Sequence, residues 1–130
     1  MLRKRDIWRC SIGLLTAAAM LGAPGTASAI SREAAESGLA SMVTTRVDKE
    51  VSRFNGFDSY RGSCKRRSSR RFTCHFRASV VDTAWQGHGT LKYVGHALFR
   101  YSFRGRKEGC GYNGCKKLRG LRWRGRTPYG

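Results

Sequence analysis

Acidic side chains are scarce in this chain: 8 Asp and Glu stand against 26 Lys and Arg in 130 residues. Beyond residue 29 the acids are Glu33, Glu36, Asp48, Glu50, Asp58, Asp82 and Glu108. None is paired with another as the two carboxylates of glycoside cleavage require, so that chemistry is set aside. A Gly-x-Ser-x-Gly elbow is also missing. Gly87-His88-Gly89 lies within a strand pattern and lacks the lysine that follows a phosphate loop. No repeat of about 20–50 residues is visible, which argues against a solenoid. Past the N-terminal region no run is apolar enough to cross a bilayer.

The N-terminus carries an export pattern. Arg3, Lys4 and Arg5 form a positive region, Ile12 to Ala23 an apolar one, and Ala27-Ser28-Ala29 a small-residue cleavage site. This reads as a signal peptide over residues 1–29, cut after Ala29. The alternative, an uncleaved anchor, needs about 20 apolar residues, and this run is shorter. The expected location is therefore secreted: medium, periplasm or cell wall. Residues 1–29 carry a net +3 (Arg3, Lys4, Arg5 and Arg9 against Asp6), which leaves +15 of the chain's +18 after cleavage. A field of that size attracts polyanions: nucleic acid, acidic polysaccharide, anionic lipid or acidic protein.

Cys10 falls in the signal, and Cys64, Cys74, Cys110 and Cys115 remain. Four cysteines in an oxidising compartment imply two disulfides, with three possible connectivities. Cys64 and Cys74 are symmetric about Ser69, so a hairpin turning there sets them face to face across two strands. Cys110 and Cys115 enclose Gly111-Tyr112-Asn113-Gly114, a tight-turn signal. The favoured pairing is 64–74 with 110–115. Neither pair has the two-residue spacing of a zinc site, and no metal or cofactor is expected.

Residues 31–54 read as one amphipathic helix. Ala35, Leu39, Met42, Val43, Val47, Val51 and Phe54 recur at three- and four-residue steps, after Ser31 as N-cap, with Asn55-Gly56 as the stop. The period then becomes two. Phe72, Cys74, Phe76, Ala78 and Val80 alternate with polar residues; Trp85 to Tyr93 and Ala97 to Phe103 do the same, and 57–66 is a weaker strand. The expected fold is α+β, a helix packed on a four-stranded antiparallel meander. Its core should join Phe72, Phe76, Trp85, Phe99, Tyr101 and Phe103 to Leu39, Val43 and Val47. Residues 30–115 form this domain. Residues 116–130, glycine-rich and without an acid, read as a basic flexible tail. One helix followed by four antiparallel strands, over residues 31–105, is similar to the cystatin-like architecture. The Gln-x-Val-x-Gly loop of true cystatins is missing, since Gln86-Gly87-His88-Gly89-Thr90 does not match it. The resemblance implies an architecture and no protease inhibition.

Two groups of residues can carry function. The first is cationic. Lys65, Arg66, Arg67, Arg70 and Arg71 place five cations in seven residues at the first hairpin tip. Arg77, Lys92, Arg100 and Arg104 share the outward parity of the sheet. Lys116, Lys117 and Arg119 open the tail, where Trp123 offers a ring for stacking or a lipid interface. The second is the imidazoles. His75, His88 and His96 all fall on the outward parity, and a tight turn near Asp82-Thr83 sets Arg77 opposite His88. Two histidines beside arginine can move the protons of RNA cleavage without a metal. Histidines and cations are also ordinary on a wet sheet face. The expected function is a secreted basic domain that binds an anionic partner. A His-dependent nuclease and a cationic membrane-active protein are the alternatives.

Overall fold

A computed structural model describes residues 30–129; residues 1–29, on which the signal-peptide expectation falls, and Gly130 lie outside the described residues. One helix, α1 (Arg32–Asp48), precedes five strands: β1 (Ser59–Arg66), β2 (Arg71–Val80), β3 (Thr83–Gly95), β4 (Leu98–Gly111) and β5 (Gly114–Pro128). The strands form one open antiparallel meander in chain order, with α1 packed on one face. This is the two-layer α+β arrangement anticipated, with one strand more.

The helix starts as its sequence dictates. Ser31 Oγ accepts from the Ala34 amide at 3.0 Å, and Glu33 sits in the first turn. Ala35, Leu39, Met42, Val43 and Val47 are buried along one stripe. Gly38, poor for helix propensity, is where α1 touches β4. A Cβ there would meet the Phe99 ring at 2.8 Å. The helix ends earlier than its apolar repeat, with Lys49 as C-cap, and Val51 and Phe54 follow in irregular chain. Arg53 takes a left-handed φ of 57°. The chain can then bring Phe54 against Phe57 at 5.0 Å, and Phe57 stacks on Tyr60 at 5.7 Å. The six residues from Lys49 to Phe54 serve this aromatic packing instead of continuing the helix.

Alternation holds along the sheet. Phe72, Cys74, Phe76 and Ala78 of β2, Trp85 and Leu91 of β3, and Phe99, Tyr101 and Phe103 of β4 are buried under α1. Cys64 stands opposite Cys74 and is bonded to it, and Cys110 is bonded to Cys115. Two disulfides suit an oxidising, extracytoplasmic setting. No helix among the described residues is long and apolar enough to cross a membrane.

The segment expected as a flexible tail is strand over residues 116–128: these belong to β5, which pairs with β4 from Gly111↔Gly114 to Leu98↔Pro128. Leu121, Trp123 and Thr127 are buried on the helix side, and Arg122, Arg124 and Arg126 point away from it. Glycine and charge suggest disorder when β5 is taken alone. Beside β4 its backbone finds partners, and three side chains at even spacing complete the core.

Candidate anion-binding face

The face turned away from α1 can be read rung by rung from the register. One rung holds Arg61, Arg77, Gln86 and Arg106; the next Ser63, His75, His88, Arg104 and Arg122; the next Lys65, Thr73, Thr90, Ser102 and Arg124; the next Arg71, Lys92, Arg100 and Arg126. With Lys117, opposite Glu108, the face carries twelve cations. Its paired positions include one acid, Glu108, and no Phe, Tyr or Trp. Rungs lie about 6.8 Å apart along the strands and neighbouring strands about 4.8 Å apart. Like charges at such spacing repel by up to about 1 kcal/mol per close pair in water. An anionic partner removes that repulsion.

Two open depressions mark this face. The larger, about 1230 Å³, is lined by Arg61, His75, Arg77, His88, Arg104 and Arg106 among others. The smaller, about 580 Å³, lies toward the other end, between Arg71, Lys92, Arg100, Arg124 and Arg126.

Glu108 organises the near end of the larger depression. Its side chain is 5% exposed. Arg77 Nη1 donates to Oε1 at 2.9 Å, and Arg106 Nε lies 2.9 Å from Oε2. Arg77 also donates to Gln86 Oε1 at 3.2 Å and to Cys115 Sγ at 3.7 Å. Glu108, Cys110 and Cys115 lie close enough together to suggest a metal triad. Both sulfurs are spent in the disulfide and the carboxylate is held by two guanidiniums, so the donor set does not fit a cation.

The histidines come together differently from the expected register. The β2–β3 hairpin turns on Val81-Asp82, with Val80 opposite Thr83. Val81 adopts a φ of 56°, a left-handed conformation that a β-branched residue rarely takes, so the turn lies one residue before the expected Asp82-Thr83. The pairing is thereby shifted: His75 faces His88, and Arg77 faces Gln86, not His88. The shift is even, so every side chain keeps its face. Both imidazoles are exposed, with Arg104 opposite His88 on the far side. His96 is not part of the group. It forms the β3–β4 turn with Ala97, at φ 55° and 58°.

The hairpin tip divides. Lys65 and Arg71 belong to the cationic face, but Arg66 turns to the helix side. There it donates to the Ile30 carbonyl and lies 4.9 Å from the Phe72 ring centre. Arg67 donates to Thr73 Oγ1 at 3.0 Å, and Arg70 covers Tyr93 at 5.8 Å. Lys116 is exposed beside the last turn, and Arg119 is drawn to the helix side by Glu50, at 2.6 Å. Trp123, expected to be an available ring, is instead 5% exposed and stacks on Phe76 at 5.6 Å. Its alternation with Leu121 decides this, since both fall on the buried parity of β5.

Arg61, Arg106 and Glu108 were not singled out from sequence. Arg61 sits in the weak first strand. Arg106 and Glu108 lie past the expected end of β4, and an alternation carried through to Gly111 would have found them. No protein-family model matches this chain, and neither a curated protein nor a solved structure matches it.

Proposed function

We propose that this protein is a secreted polyanion-binding module that takes a phosphate- or sulfate-rich polymer across the outer face of its sheet. The observation that carries the reading is the concentration of twelve cations on one face, whose single acid is already neutralised by two of them. The lack of a Phe, Tyr or Trp ring there narrows the class. A platform for unpaired bases uses stacking on large rings, worth about 1–3 kcal/mol per base, and this face offers only the small imidazoles of His75 and His88. Charge and guanidinium hydrogen bonds must do the recognition, so the partner is read by its backbone anions. Burial of Trp123 also weighs against lipid insertion through residues 116–130.

Elution from heparin and from duplex DNA tests this. Lys92→Gln, Arg100→Gln, Arg104→Gln and Arg122→Gln together should lower the salt needed for elution sharply. Retention equal to that of the unaltered protein sinks the reading. If about six phosphates are neutralised, log Kd should change about five-fold faster than log salt concentration.

One observation favours a second reading, metal-independent RNA cleavage. His75 and His88 are cross-strand partners, with Cα atoms about 4.5–5.5 Å apart by the geometry of such pairs, in a depression shared with Arg77 and Arg104. One imidazole takes the proton of a 2′-hydroxyl as its oxygen bonds to phosphorus. The other protonates the departing 5′ oxygen, leaving a 2′,3′-cyclic phosphate, while arginine holds the charge. Cleavage of RNA in EDTA, absent from His75→Ala and His88→Ala, supports it. RNA left intact by the purified protein removes it.

A further inference from the structure

The polyanion reading treats the face as a diffuse field. One part of it is built to a different standard. Glu108 is the one carboxylate among the outer-face positions and is nearly enclosed, with two cations beside it. Its two oxygens are divided between two guanidiniums, Oε1 to Arg77 and Oε2 to Arg106. These arginines come from β2 and β4, with β3 between them, and Gln86 of β3 holds Arg77 from the side. Both guanidiniums line the larger depression; Glu108 is not among the residues that line it. The carboxylate therefore sits behind two arginines that face the open groove.

The geometry points to an oxyanion subsite at this place: Glu108 holds Arg77 and Arg106 as a paired clamp for a single phosphate or sulfate group of the polymer. This deepens the anion-binding reading and rests on it. Each guanidinium has five N–H donors in a fixed plane. The carboxylate, Gln86 and Cys115 take three donors of Arg77, and the carboxylate takes one of Arg106, so most remain for a ligand. The trio keeps one net positive charge. Free arginine side chains lose about 2 kcal/mol of rotamer freedom when fixed, and here much of that ordering precedes the ligand. Arg61 and Lys117 line the same depression and can add charge to a second oxygen. Arginine matches a tetrahedral oxyanion two bonds at a time, whereas lysine meets it as a point charge. A clamp thus depends on the kind of cation, and a diffuse field depends on its number alone.

That difference is the test. Binding of inorganic phosphate and of inorganic sulfate is measured by calorimetry and by shifts of arginine Nε–H resonances. The unaltered protein should show one saturable site per chain for one or both ions, and which ion binds more tightly identifies the polymer's anion. Arg77→Lys with Arg106→Lys keeps every charge and should weaken that site at least tenfold, with heparin retention nearly unchanged. Arg32→Lys, on the helix, should change neither. Glu108→Gln removes a negative charge, so a diffuse field predicts tighter small-anion binding; the clamp predicts binding at least threefold weaker. No saturable site, equal affinity after the double lysine change, or tighter binding by Glu108→Gln each overturns the clamp. If the unaltered protein is not retained on heparin at all, the underlying polyanion reading falls instead.

Discussion

Trp123 of β5 stacks on Phe76 of β2, with ring centres 5.6 Å apart and ring planes 6° from parallel, although β3 and β4 run between their strands. The contact exists because the positions between them on the helix side are Gly87 and Gly105, which are paired with each other. A Cβ on Gly87 would meet the Phe76 ring and the Arg104 carbonyl, both at 2.9 Å. Two missing side chains make a trough, and a phenyl ring lies across it. Gly87→Ala should therefore destabilise by about 1–3 kcal/mol through overpacking. Trp123→Ala should destabilise by about 3–5 kcal/mol by leaving a cavity. Urea denaturation followed by near-UV circular dichroism measures both.

Deleting residues 116–130 should abolish cooperative unfolding. The deletion bares Phe76 and Phe103 and removes the buried Leu121, Trp123 and Thr127. A chain of about 100 residues has about 5–15 kcal/mol of stability in total, and the loss of three core side chains consumes most of it. Unchanged cooperativity would show β5 to be dispensable.

Tyr60 gives an alkaline prediction. Its hydroxyl is buried without a hydrogen-bond partner. Burial, and secondarily the charge of Glu36, push its pKa up from 10.0 to about 12. The folded protein thus resists ionisation that the unfolded chain allows. The stability tied to the neutral phenol is complete below pH 10 and falls as pH rises toward about 12. Tyr60→Phe should flatten that decline, and at neutral pH should be neutral or stabilising by up to about 1 kcal/mol. Denaturation midpoints between pH 9 and about 12 check it.

Glu50 acts at the other end of the scale. Burial alone would raise its pKa, but hydrogen bonds and charge from Arg119 and Lys107 outweigh it and hold the carboxyl below the ordinary 4.5. Its contribution is present above that value and disappears as pH falls through the lower folded value. Glu50→Gln should be less stable than the unaltered protein at neutral pH, by about 1 kcal/mol or less, with the gap closing in acid. A gap that persists below the carboxylate range would refute the assignment.

The two disulfides should differ. Chain entropy predicts about 3 kcal/mol for Cys64–Cys74, at a separation of 10 residues, and about 2 kcal/mol for Cys110–Cys115, at 5. Paired Cys→Ala variants, compared by thermal unfolding, give the order.

What could be read from sequence follows from how local each signal is. The N-cap at Ser31, the buried alternation of β2 and the symmetry of Cys64 and Cys74 about Ser69 are short-range patterns, and each appears in the fold as expected. The helix stop was not legible, because the apolar repeat continues through Val51 and Phe54 while those side chains serve an irregular turn. Nor was the β2–β3 register, which hangs on Val81 accepting a left-handed φ. β5 was hidden for a different reason: with glycines and arginines throughout, its order comes from the edge of β4. The outer face was readable by parity, which an even slip preserves. The partnership of Arg77, Arg106 and Glu108 was not, since it joins strands two apart.

The meander leaves β5 as a rim with free backbone groups along its outer side. An exposed rim of that length invites another copy to zip onto it. Here Arg122, Arg124 and Arg126 punctuate it at every second residue, and one backbone group of the strand, the Arg124 carbonyl, already accepts from Arg46 Nη2 at 2.6 Å. The same electrostatic crowding that awaits a foreign polymer thereby discourages self-polymerisation, so a charge-stripped version designed to release the ligand should also be the one that forms fibrils.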